Sequence, residues 1–455
     1  MRIVIIGDGK VGDTLTKVLS KEGHDIVVID RDPKVIEETV NTYDVLGISG
    51  NGASYKVQME AKVNKADLLI AATSSDELNI LSCMVGKKIG AKNTIARVRN
   101  PEYSEQLIFL KEELGLSMVV NPEMETASEI SRILRFPSAL KIESFARGRV
   151  DLVEIKIAQG SPVHGMSLQE IGKQYGTKIL VCVVQRGEEV FIPNGSFVLH
   201  EEDHITLTGD PGEITEFFKR IGIYKEKSRS ALIIGGGKIG YYLAKRLAKS
   251  GMRVKIIEKD EERCIMLSEM LPRVEIVQGD GSEHELLNEE GLAEYDACVA
   301  LTDIDEENII ISMYAGSLRV QKIIPKINRL SLLKMLDDVG IDSAVSPKDV
   351  TADRIAGFVR AMQNSFDITS VETLCKLVDQ KVEALEFRVT EDVPFVGISL
   401  SELKLKPHLL IACIVRKGRA IIPGGSDSMQ PGDSVIVVTA DHILQKLEDI
   451  LELYH

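Results

Sequence analysis

The sequence contains no tryptophan, and aromatic residues make up only 5% of its 455 residues. Proteins that bind single-stranded nucleic acid stack bases on aromatic side chains, so this scarcity argues against that class. Basic residues are also few, because 55 Lys and Arg stand against 69 Asp and Glu, which gives a net charge of −14. An acidic chain repels phosphate backbones, and nucleic acid is therefore not an expected partner.

Long hydrophobic runs are absent too. No apolar stretch approaches the roughly 18 residues that a transmembrane helix requires. Near the N-terminus, Asp8, Lys10 and Asp13 interrupt the apolar residues 3–6, so no signal peptide is expected. The six cysteines lie far apart and form no CxxC pair, so we expect them to be reduced and mostly buried in a cytoplasmic protein.

The chain contains an internal repeat. Residues 2–12 read RIVIIGDGKVG, and residues 230–240 read SALIIGGGKIG, about half a chain later. Further matches follow in the same order. TSSDELN at 73–79 faces TDIDEEN at 302–308, and IPNG at 192–195 faces IPGG at 422–425. Matches in register from end to end indicate two copies of one unit that fills half of the chain.

Each copy divides into two parts. In the first part, segments of helical periodicity alternate with apolar runs of strand length, at 3–6, 25–29, 67–71, 94–98 and 117–120. This alternation predicts an α/β fold, with a Rossmann-like parallel sheet covered by helices on both faces. The second part has short strands and turn signals, which predict a small α+β domain. We therefore expect four domains, at residues 1–138, 139–225, 229–366 and 367–455.

The motif GxGxxG is a weak signal alone, but here it joins a strand to a helix in both copies. Gly7 permits the tight turn, Gly9 lets the backbone approach a pyrophosphate, and Gly12 lets the helix pack closely on the sheet. The pyrophosphate would then lie on free N–H groups at the positive end of the helix dipole.

An acidic residue ends the second strand of each copy at the same distance after the glycine motif, Asp30 in the first and Glu258 in the second. A carboxylate there accepts hydrogen bonds from the adenosine ribose and repels a 2′-phosphate, which favours NAD over NADP. The adjacent Arg31 would soften that preference. Glycine turns and acidic strand ends also occur without a ligand, but context and repetition together favour nucleotide binding.

Three further side chains are candidates at the same sheet edge. Thr73 and Ser74 follow the fourth strand, where they can reach the ribose or nicotinamide, although strand-end and helix-capping roles fit them equally well. Arg97 on the fifth strand can pair with phosphate, and Lys326 holds the matching position in the second copy. A surface ion pair is the plain alternative for both.

A polar cluster at residues 200–204, HEEDH, has the residue types of a metal site. The matching segment of the second copy, which reads MQPGDS from Met429, contains no histidine. Both segments fit polar turns before a strand, so we expect no metal there.

Taken together, the motifs resemble the RCK domain family, whose members are also called KTN domains. The resemblance rests on GxGxxG, the acid that ends the second strand, Gly-[Asp/Asn]-Gly after the third strand and Thr-x-x-Asp-Glu-x-Asn after the fourth. It also rests on the openings of the small domains, GMSL at 165–168 and GISL at 397–400. The resemblance covers essentially the whole chain, and two complete units in order are more specific than any single motif.

The resemblance implies a regulatory subunit of a Trk-type potassium uptake system that senses nucleotides and is not an enzyme. It implies binding of NAD or NADH, and also of ATP or ADP, in the clefts of the Rossmann-like domains. The implied partner is a TrkH-like membrane subunit that translocates potassium, with this chain on the inner face of the membrane as a homo-oligomer, by family pattern a tetramer. Apolar residues on the helix after Asn79 also predict self-association: Met84, Val85 and Ile89.

Ligand contacts are carried over from the family by position. In the first copy they are Gly7, Asp8, Gly9, Lys10, Val11, Gly12, Asp30, Thr73, Ser74 and Arg97, and in the second copy Gly235, Gly236, Gly237, Lys238, Ile239, Gly240 and Glu258. The copies differ where Asn51 faces Asp280 and Ser74 faces Asp303. With two more carboxylates, the second cleft is expected to bind anionic nucleotides on the order of ten times more weakly, or with a divalent cation.

Two other function classes are weighed against this one. An NAD-dependent dehydrogenase pairs its dinucleotide domain with a substrate domain that supplies an acid or base, whereas both small domains here are copies without such a residue in a recognisable setting. A DNA-binding redox sensor conflicts with the net charge of −14 and with the lack of a basic helix-turn-helix.

Overall fold

The computed structural model describes the chain except for short segments, which are residues 102, 104–105, 107–110, 112, 136–137, 147, 225–227, 330–331, 333–340, 342, 365–370, 379–380, 443, 445 and 453–455. It divides into two compact units. The first unit combines Met1–Ser131 with Ser228–Ala356, and the second combines Arg132–Lys227 with Gly357–His455. Each unit thus holds the corresponding part of both copies. The predicted domain limits at 225 and 366–367 lie outside the described residues and stay a prediction.

The described strands are numbered in chain order. They are β1 (Arg2–Ile6), β2 (Asp25–Asp30), β3 (Leu46–Ser49), β4 (Leu68–Ala71), β5 (Asn93–Arg97), β6 (Met118–Val120), β7 (Lys141–Phe145), β8 (Val150–Lys156), β9 (Ile179–Arg186), β10 (Glu189–Phe191), β11 (His204–Gly209), β12 (Ser230–Ile234), β13 (Arg253–Glu258), β14 (Glu275–Gln278), β15 (Ala297–Ala300), β16 (Lys322–Pro325), β17 (Val371–Leu377), β18 (Val382–Arg388), β19 (Leu409–Arg416), β20 (Arg419–Ile421) and β21 (Ser434–Thr439).

The described α-helices are numbered in the same way. They are α1 (Lys10–Lys21), α2 (Pro33–Thr42), α3 (Tyr55–Glu60), α4 (Asp76–Ile89), α5 (Pro122–Arg135), α6 (Leu168–Tyr175), α7 (Pro211–Arg220), α8 (Lys238–Lys249), α9 (Glu261–Met270), α10 (His284–Glu289), α11 (Asp305–Ser317) and α12 (Pro347–Asn364). Short 3₁₀ turns lie at Val63–Lys65, Leu292–Glu294, Leu400–Glu402 and Leu447–Ile450.

In the first unit, the first copy forms a parallel sheet in the order β3-β2-β1-β4-β5-β6. This order is that of Rossmann folds. Apart from Arg2, the middle strands β1 and β4 are apolar and buried, because α1, α2 and α4 pack against the sheet. The five strands predicted from sequence are all present, while the short strand β3, half-buried and containing Gly47, gave too weak a pattern to be included.

The second copy repeats this sheet in the order β14-β13-β12-β15-β16. Where the first copy has β6, a parallel bridge joins Lys326 to Val345. The glycine motif again lies between the first strand and a helix, since β12 ends at Ile234 and α8 begins at Lys238.

In the second unit, each copy contributes a five-stranded antiparallel sheet. The first has the order β10-β9-β11-β8-β7, and the second has the matching order β20-β19-β21-β18-β17. Side chains of both copies share one apolar core, in which Phe145, Cys182, Ala384 and Cys413 are fully buried. Parallel-sheet parts followed by small antiparallel parts confirm the predicted fold class.

The HEEDH segment forms a turn that ends where β11 begins at His204. Asp203 is buried and accepts two hydrogen bonds from Arg186, each of 2.8 Å, and His204 pairs with Glu154 at 3.1 Å. Among the described residues, no group of three or more His, Cys, Asp or Glu is arranged to hold a metal ion.

Burial dominates the chemistry of the cysteines, as expected. All six are free thiols, and five are buried, with Cys375 half-buried. Burial raises the pKa of Cys83 and of Cys298 to about 12, so neither is a reactive thiolate near neutral pH. In the described part of the chain, no helix has both the length and the apolar composition needed to cross a bilayer.

Candidate functional site

The first candidate site lies where the strand order reverses, between β1 and β4. Ligands of open α/β sheets bind at this place, beyond the carboxyl ends of the strands. A cavity of about 410 Å³ opens there, within the size range of small-molecule sites. It is lined by Ile6, Gly7, Gly9, Lys10, Val11, Ile29, Asp30, Arg31, Gly50, Gly52, Ala72, Thr73, Ser74, Leu78 and Arg97.

Three glycines shape the loop in the ways predicted. Gly7 has φ +89°, and a Cβ there would lie 2.8 Å from Thr73. A Cβ on Gly12 would lie 2.0 Å from the carbonyl oxygen of Gly7, so only glycine lets α1 approach the strand this closely. A Cβ on Gly9 would meet no atom within 4 Å, because this position faces the open cavity. The loop therefore leaves room for a ligand at Gly9.

The N-terminus of α1 completes the loop. Gly9 is the N-cap residue and offers no side chain to cap the first turn. The first N–H groups of a helix have no partner within the helix, so those near Lys10 and Val11 are available to an anion. Both residues line the cavity.

Asp30 holds the glycine loop while it lines the cavity. Its Oδ2 accepts a hydrogen bond of 2.7 Å from the backbone N–H of Asp8, and its Oδ1 accepts one of 3.0 Å from that of Asp32. A carboxylate oxygen can accept more than one bond, so both oxygens retain capacity for ribose hydroxyls.

The side chain of Asp8 turns away from the cavity. It is only 6% exposed and accepts hydrogen bonds from the hydroxyls of Thr16 and Thr39. Burial raises its pKa above the usual value, and the bond from Thr39 opposes that rise. Asp8 and Gly12, both expected as ligand contacts from the family resemblance, are not among the residues that line the cavity.

The strand-end candidates sit in the cavity wall. The backbone N–H and hydroxyl of Thr73 donate to the side-chain oxygen of Asn79, at 2.8 and 2.7 Å. The helix-capping role considered for Thr73 and Ser74 belongs to Ser75, which accepts a bond of 3.1 Å from the N–H of Leu78. Ser74 is exposed and lines the cavity.

Arg97 reaches the cavity from the end of β5. Its guanidinium donates to the carbonyl of Thr73 at 3.3 Å, and Glu123 lies 4.0 Å away. Burial lowers the pKa of Arg97 from its ordinary value, with Glu123 acting against that shift. The side chain is only 16% exposed, so a surface ion pair does not describe it.

The sequence identifies the Thr-x-x-Asp-Glu-x-Asn motif, but it does not show which hydrogen bonds the last residue of the motif makes. The side-chain nitrogen of Asn79 donates to the carbonyls of Thr73 and Arg97, at 3.1 and 2.9 Å. It therefore fixes the ends of β4 and β5 against each other. Asn308 makes the same bonds to the carbonyls of Thr302 and Lys326. The presence of this asparagine in both copies was therefore the sequence signal for a structural role.

The second cleft repeats the loop geometry. A Cβ on Gly240 would lie 2.3 Å from the oxygen of Gly235, and one on Gly237 would meet nothing within 4 Å. Glu258 accepts a bond of 2.6 Å from the N–H of Gly236, as Asp30 does from Asp8. Lys238 and Ile239, the other predicted residues, open α8.

The cations of the second cleft are paired with carboxylates. Lys326 lies 3.2 Å from Asp303, and Lys259 forms an ion pair with Asp280. Hydrogen bonding to Lys259 is the main reason that the pKa of Asp280 falls to about 2.

In the comparison with known proteins, family models match both parts of each copy. The TrkA-N domain model matches residues 3–122 and 231–347, and the TrkA-C domain model matches residues 152–222 and 384–452. The chain belongs to the TrkA family. This finding confirms the resemblance drawn from the motifs.

Curated relatives align over nearly their whole length. A "Trk system potassium uptake protein TrkA homolog" of Archaeoglobus fulgidus is 34% identical over 99% of this chain and 100% of its own length. The "Trk system potassium uptake protein TrkA" of Halomonas elongata is 30% identical over 100% of this chain and 98% of its own.

Solved structures share the fold of this family member. The GsuK channel bound to NAD superposes with a TM-score of 0.63 at 20% identity, over 97% of this chain and 77% of the channel. The GsuK RCK domain superposes with a TM-score of 0.62 at 20% identity, over 97% and 92%. At this identity the likeness shows the fold alone.

Proposed function

We propose that the protein is a regulatory subunit of potassium uptake that binds NAD or NADH in its first cleft. The relatives named for Trk potassium uptake support the process, and the cavity at Gly9 supports the ligand. Nucleotide binding would shift the protein between two shapes, and a membrane partner would respond to the difference.

The residues of the first cleft fit a dinucleotide. The empty space at Gly9 and the free N–H groups of α1 would take the pyrophosphate. Asp30 would accept from the adenosine ribose hydroxyls, and Arg97 would supply positive charge near phosphate. ATP or ADP would use the same phosphate contacts, so we propose them as competing ligands.

We propose that the protein catalyses no hydride transfer. The side chains that line the first cavity in the described part of the chain include no His, Tyr or Cys, and the acid–base residues that do line it have other places there, since Lys10 opens α1 and Asp30 accepts from the N–H of Asp8. Incubation of NADH with the protein and a panel of keto acids and aldehydes should leave the NADH absorbance constant. Steady oxidation that a change at Asp30 abolishes would support a dehydrogenase instead.

The proposed partner is a TrkH-like subunit that translocates potassium, with this chain as a homo-oligomer, a tetramer, on the cytoplasmic face of the membrane. Self-association is supported by apolar side chains exposed at matching positions of both copies. Leu81 and Met84 on α4 are 50% and 40% exposed, and Ile310 and Met313 on α11 are 55% and 48% exposed. Light scattering should therefore give a mass above the 50.1 kDa of one chain at micromolar concentration.

Potassium flux through the reconstituted partner tests the function directly. Vesicles containing the co-purified membrane subunit should show a flux that changes with NAD, NADH, ATP or ADP only when this protein is present. Asp30→Ala should shift the NADH response to higher concentration, whereas Glu258→Ala, at the matched position of the other cleft, should leave the first-cleft response in place. A flux that ignores all four nucleotides would refute the proposal.

A further inference from the structure

The second unit contains a cavity of about 470 Å³ lined by residues of both copies, which we name the interface cavity. Three cations line it. Arg149 comes from the turn between β7 and β8. Arg388 ends β18 of the other copy, and Lys417 lies in the turn between its strands β19 and β20. Within the described residues, none of these side chains forms an ion pair or a hydrogen bond. The interface cavity therefore gathers positive charge that no carboxylate neutralises.

The one carboxylate among the residues that line the cavity in the described chain is already hydrogen-bonded to two neighbouring groups. Glu386 is 2% exposed, and its two oxygens accept bonds from the N–H of Ala146 at 3.0 Å and from the hydroxyl of Ser434 at 2.9 Å. It joins the turn of one copy to the sheet of the other. Three cations against one carboxylate leave the cavity positive in a chain whose net charge is −14. Such local charge attracts anions.

The internal repeat supplies a control for this cavity. In the strand registers, Arg388 lies opposite Ser434 between β18 and β21, and Lys156 lies opposite His204 between β8 and β11. Arg388 and Lys156 are therefore equivalent positions. By the β7–β8 and β17–β18 registers, Arg149 is equivalent to Lys381 in the same way.

At the equivalent positions, Lys156 of the first copy and Lys381 of the second, both cations are neutralised. Lys156 forms an ion pair of 2.6 Å with Glu202. Lys381 lies 3.3 Å from the carboxylate of Glu188 and donates to its carbonyl at 2.7 Å. Basic residues thus occupy both equivalent positions, but there each one is a lysine held in an ion pair.

Two glycines take the places of those two glutamates in the interface cavity. Gly432 corresponds to Glu202, because the N–H of each donates to the matching carbonyl after β18 or β8. Gly418 corresponds to Glu188 in the hairpin register, and a Cβ there would lie 3.8 Å from Cζ of Arg149. Loss of both carboxylates leaves the two arginines unpaired and opens the space between them.

Backbone geometry does not force the glycine at 432. Its φ is +88°, but Glu202 occupies the equivalent turn with φ +65°. The turn therefore accommodates a glutamate, and the replacement changes charge and space more than conformation. This is the pattern expected of a site that must stay open and cationic.

We propose that the interface cavity binds a small phosphate-bearing anion, separately from either nucleotide cleft. The planar guanidinium groups of Arg149 and Arg388 suit two-point hydrogen bonding to phosphate oxygens, and Lys417 adds a third charge. A volume of about 470 Å³ is within the range of small-ligand sites.

Inorganic pyrophosphate is a suitable probe for calorimetry on the full chain at fixed ionic strength. Pyrophosphate also fits the glycine loop of the first cleft. The test therefore compares pyrophosphate binding by the unmodified protein with binding by the double variant Arg149→Gln/Arg388→Gln. We expect this variant to lose the interface site, with an affinity lower by about tenfold or more. The matched control Lys156→Gln/Lys381→Gln removes equivalent cations from the paired place and should bind pyrophosphate as the unmodified protein does.

NADH titrations of the same proteins separate this proposal from the proposed function. NADH affinity should be equal in the double variant and the control, since neither touches the first cleft. Equal pyrophosphate binding in all three proteins would overturn the interface site while leaving NADH binding intact. If the control variant lost as much pyrophosphate affinity as the double variant, the loss would come from the change in overall charge. That result would also overturn the interface site.

Discussion

The two nucleotide clefts share one backbone design but differ in how closely carboxylates pair with their cations. In the first cleft, Arg31 donates to the amide oxygen of Asn51 at 3.2 Å, and Arg97 donates to the carbonyl of Thr73 at 3.3 Å. Both acceptors are neutral, although the carboxylate of Glu123 also lies 4.0 Å from the guanidinium of Arg97. In the second cleft, the lysines at the equivalent positions are each paired with an aspartate, at Asp280 and Asp303.

This difference changes the reason for expecting weaker binding in the second cleft. A neutral acceptor orients a guanidinium and leaves its charge available to phosphate. A carboxylate neutralises the cation, so an incoming phosphate must compete with the aspartate for the same lysine. The sequence suggested repulsion from two added carboxylates, whereas the structure shows them cancelling the two cations that would attract the ligand.

The largest effect should come from filling the first cleft at its glycine loop. Gly9→Val places a side chain where no atom lies within 4 Å, so the fold should be unaffected while the pyrophosphate position is blocked. Overpacking of about 1–3 kcal/mol would lower NADH affinity by up to roughly 100-fold. Calorimetry gives the affinity, and thermal melting checks the fold.

The matched change Gly237→Val fills the second loop, which is equally open. It should leave the first-cleft affinity for NADH unchanged and remove any weaker second binding event. If Gly237→Val proved the more damaging of the two, the assignment of the stronger site to the first cleft would be reversed.

The next effect concerns the acid that ends β2. Asp30→Ala removes a ribose acceptor and also the brace on the N–H of Asp8, so NADH should bind more weakly by about 1–3 kcal/mol. Glu258→Ala, the equivalent change in the second copy, is the control. NADPH should bind less tightly than NADH to the unmodified protein. Equal affinities for the two would show that Arg31 overrides the carboxylate.

The glycine loops and their acids were predictable because they are local. Gly7, Gly12 and Asp30 act through bonds and contacts set by spacing along one strand-turn-helix unit. The buried position of the Asp8 side chain could not be predicted, because it depends on hydroxyl groups of α1 and α2 that only the folded sheet brings together. Repetition identified the two copies, but sequence could not show which cations are paired.

The interface cavity is the clearest case of what sequence alone could not give. Arg149 and Glu386 lie in different copies, and Ala146 N–H meets the carboxylate only because the two antiparallel sheets pack together. The aligned repeat already matches Gly432 to Glu202, but only the packed sheets bring that position into one cavity with Arg149 and Arg388. Long-range pairing of this kind leaves no periodic pattern in the chain.

A smaller effect should follow from freeing the second cleft's buried lysine. Asp303→Ser gives that cleft the residue of the first copy and removes the ion pair of Lys326, whose side chain is 10% exposed. ATP and NADH should then bind there more tightly by about fivefold, because one charge interaction is worth about 1 kcal/mol. The titration is made in the Gly9→Val background so that only the second cleft reports. Unchanged affinity would mean that the ion pair of Lys326 with Asp303 does not cause the difference in affinity between the two clefts.

The smallest effect concerns pH. The difference in NAD affinity between the two clefts should hardly change with pH. The pKa of Asp280 is lowered to about 2, mainly by the hydrogen bond from Lys259, with further bonds from Ser282. A carboxyl whose pKa falls on folding contributes stability that is present above its unfolded value, near 4, and is lost only as pH drops through about 2. The pKa of Lys259 is raised by the same contact, so its charge is lost only in strongly alkaline solution. Between pH 6 and 8 neither partner titrates, and the ratio of NAD affinities of the Gly9→Val and Gly237→Val proteins should stay constant within about twofold. A ratio that moved steeply across this range would show that another group controls the second cleft, and Asp280→Asn would reveal whether the Lys259 pair takes part.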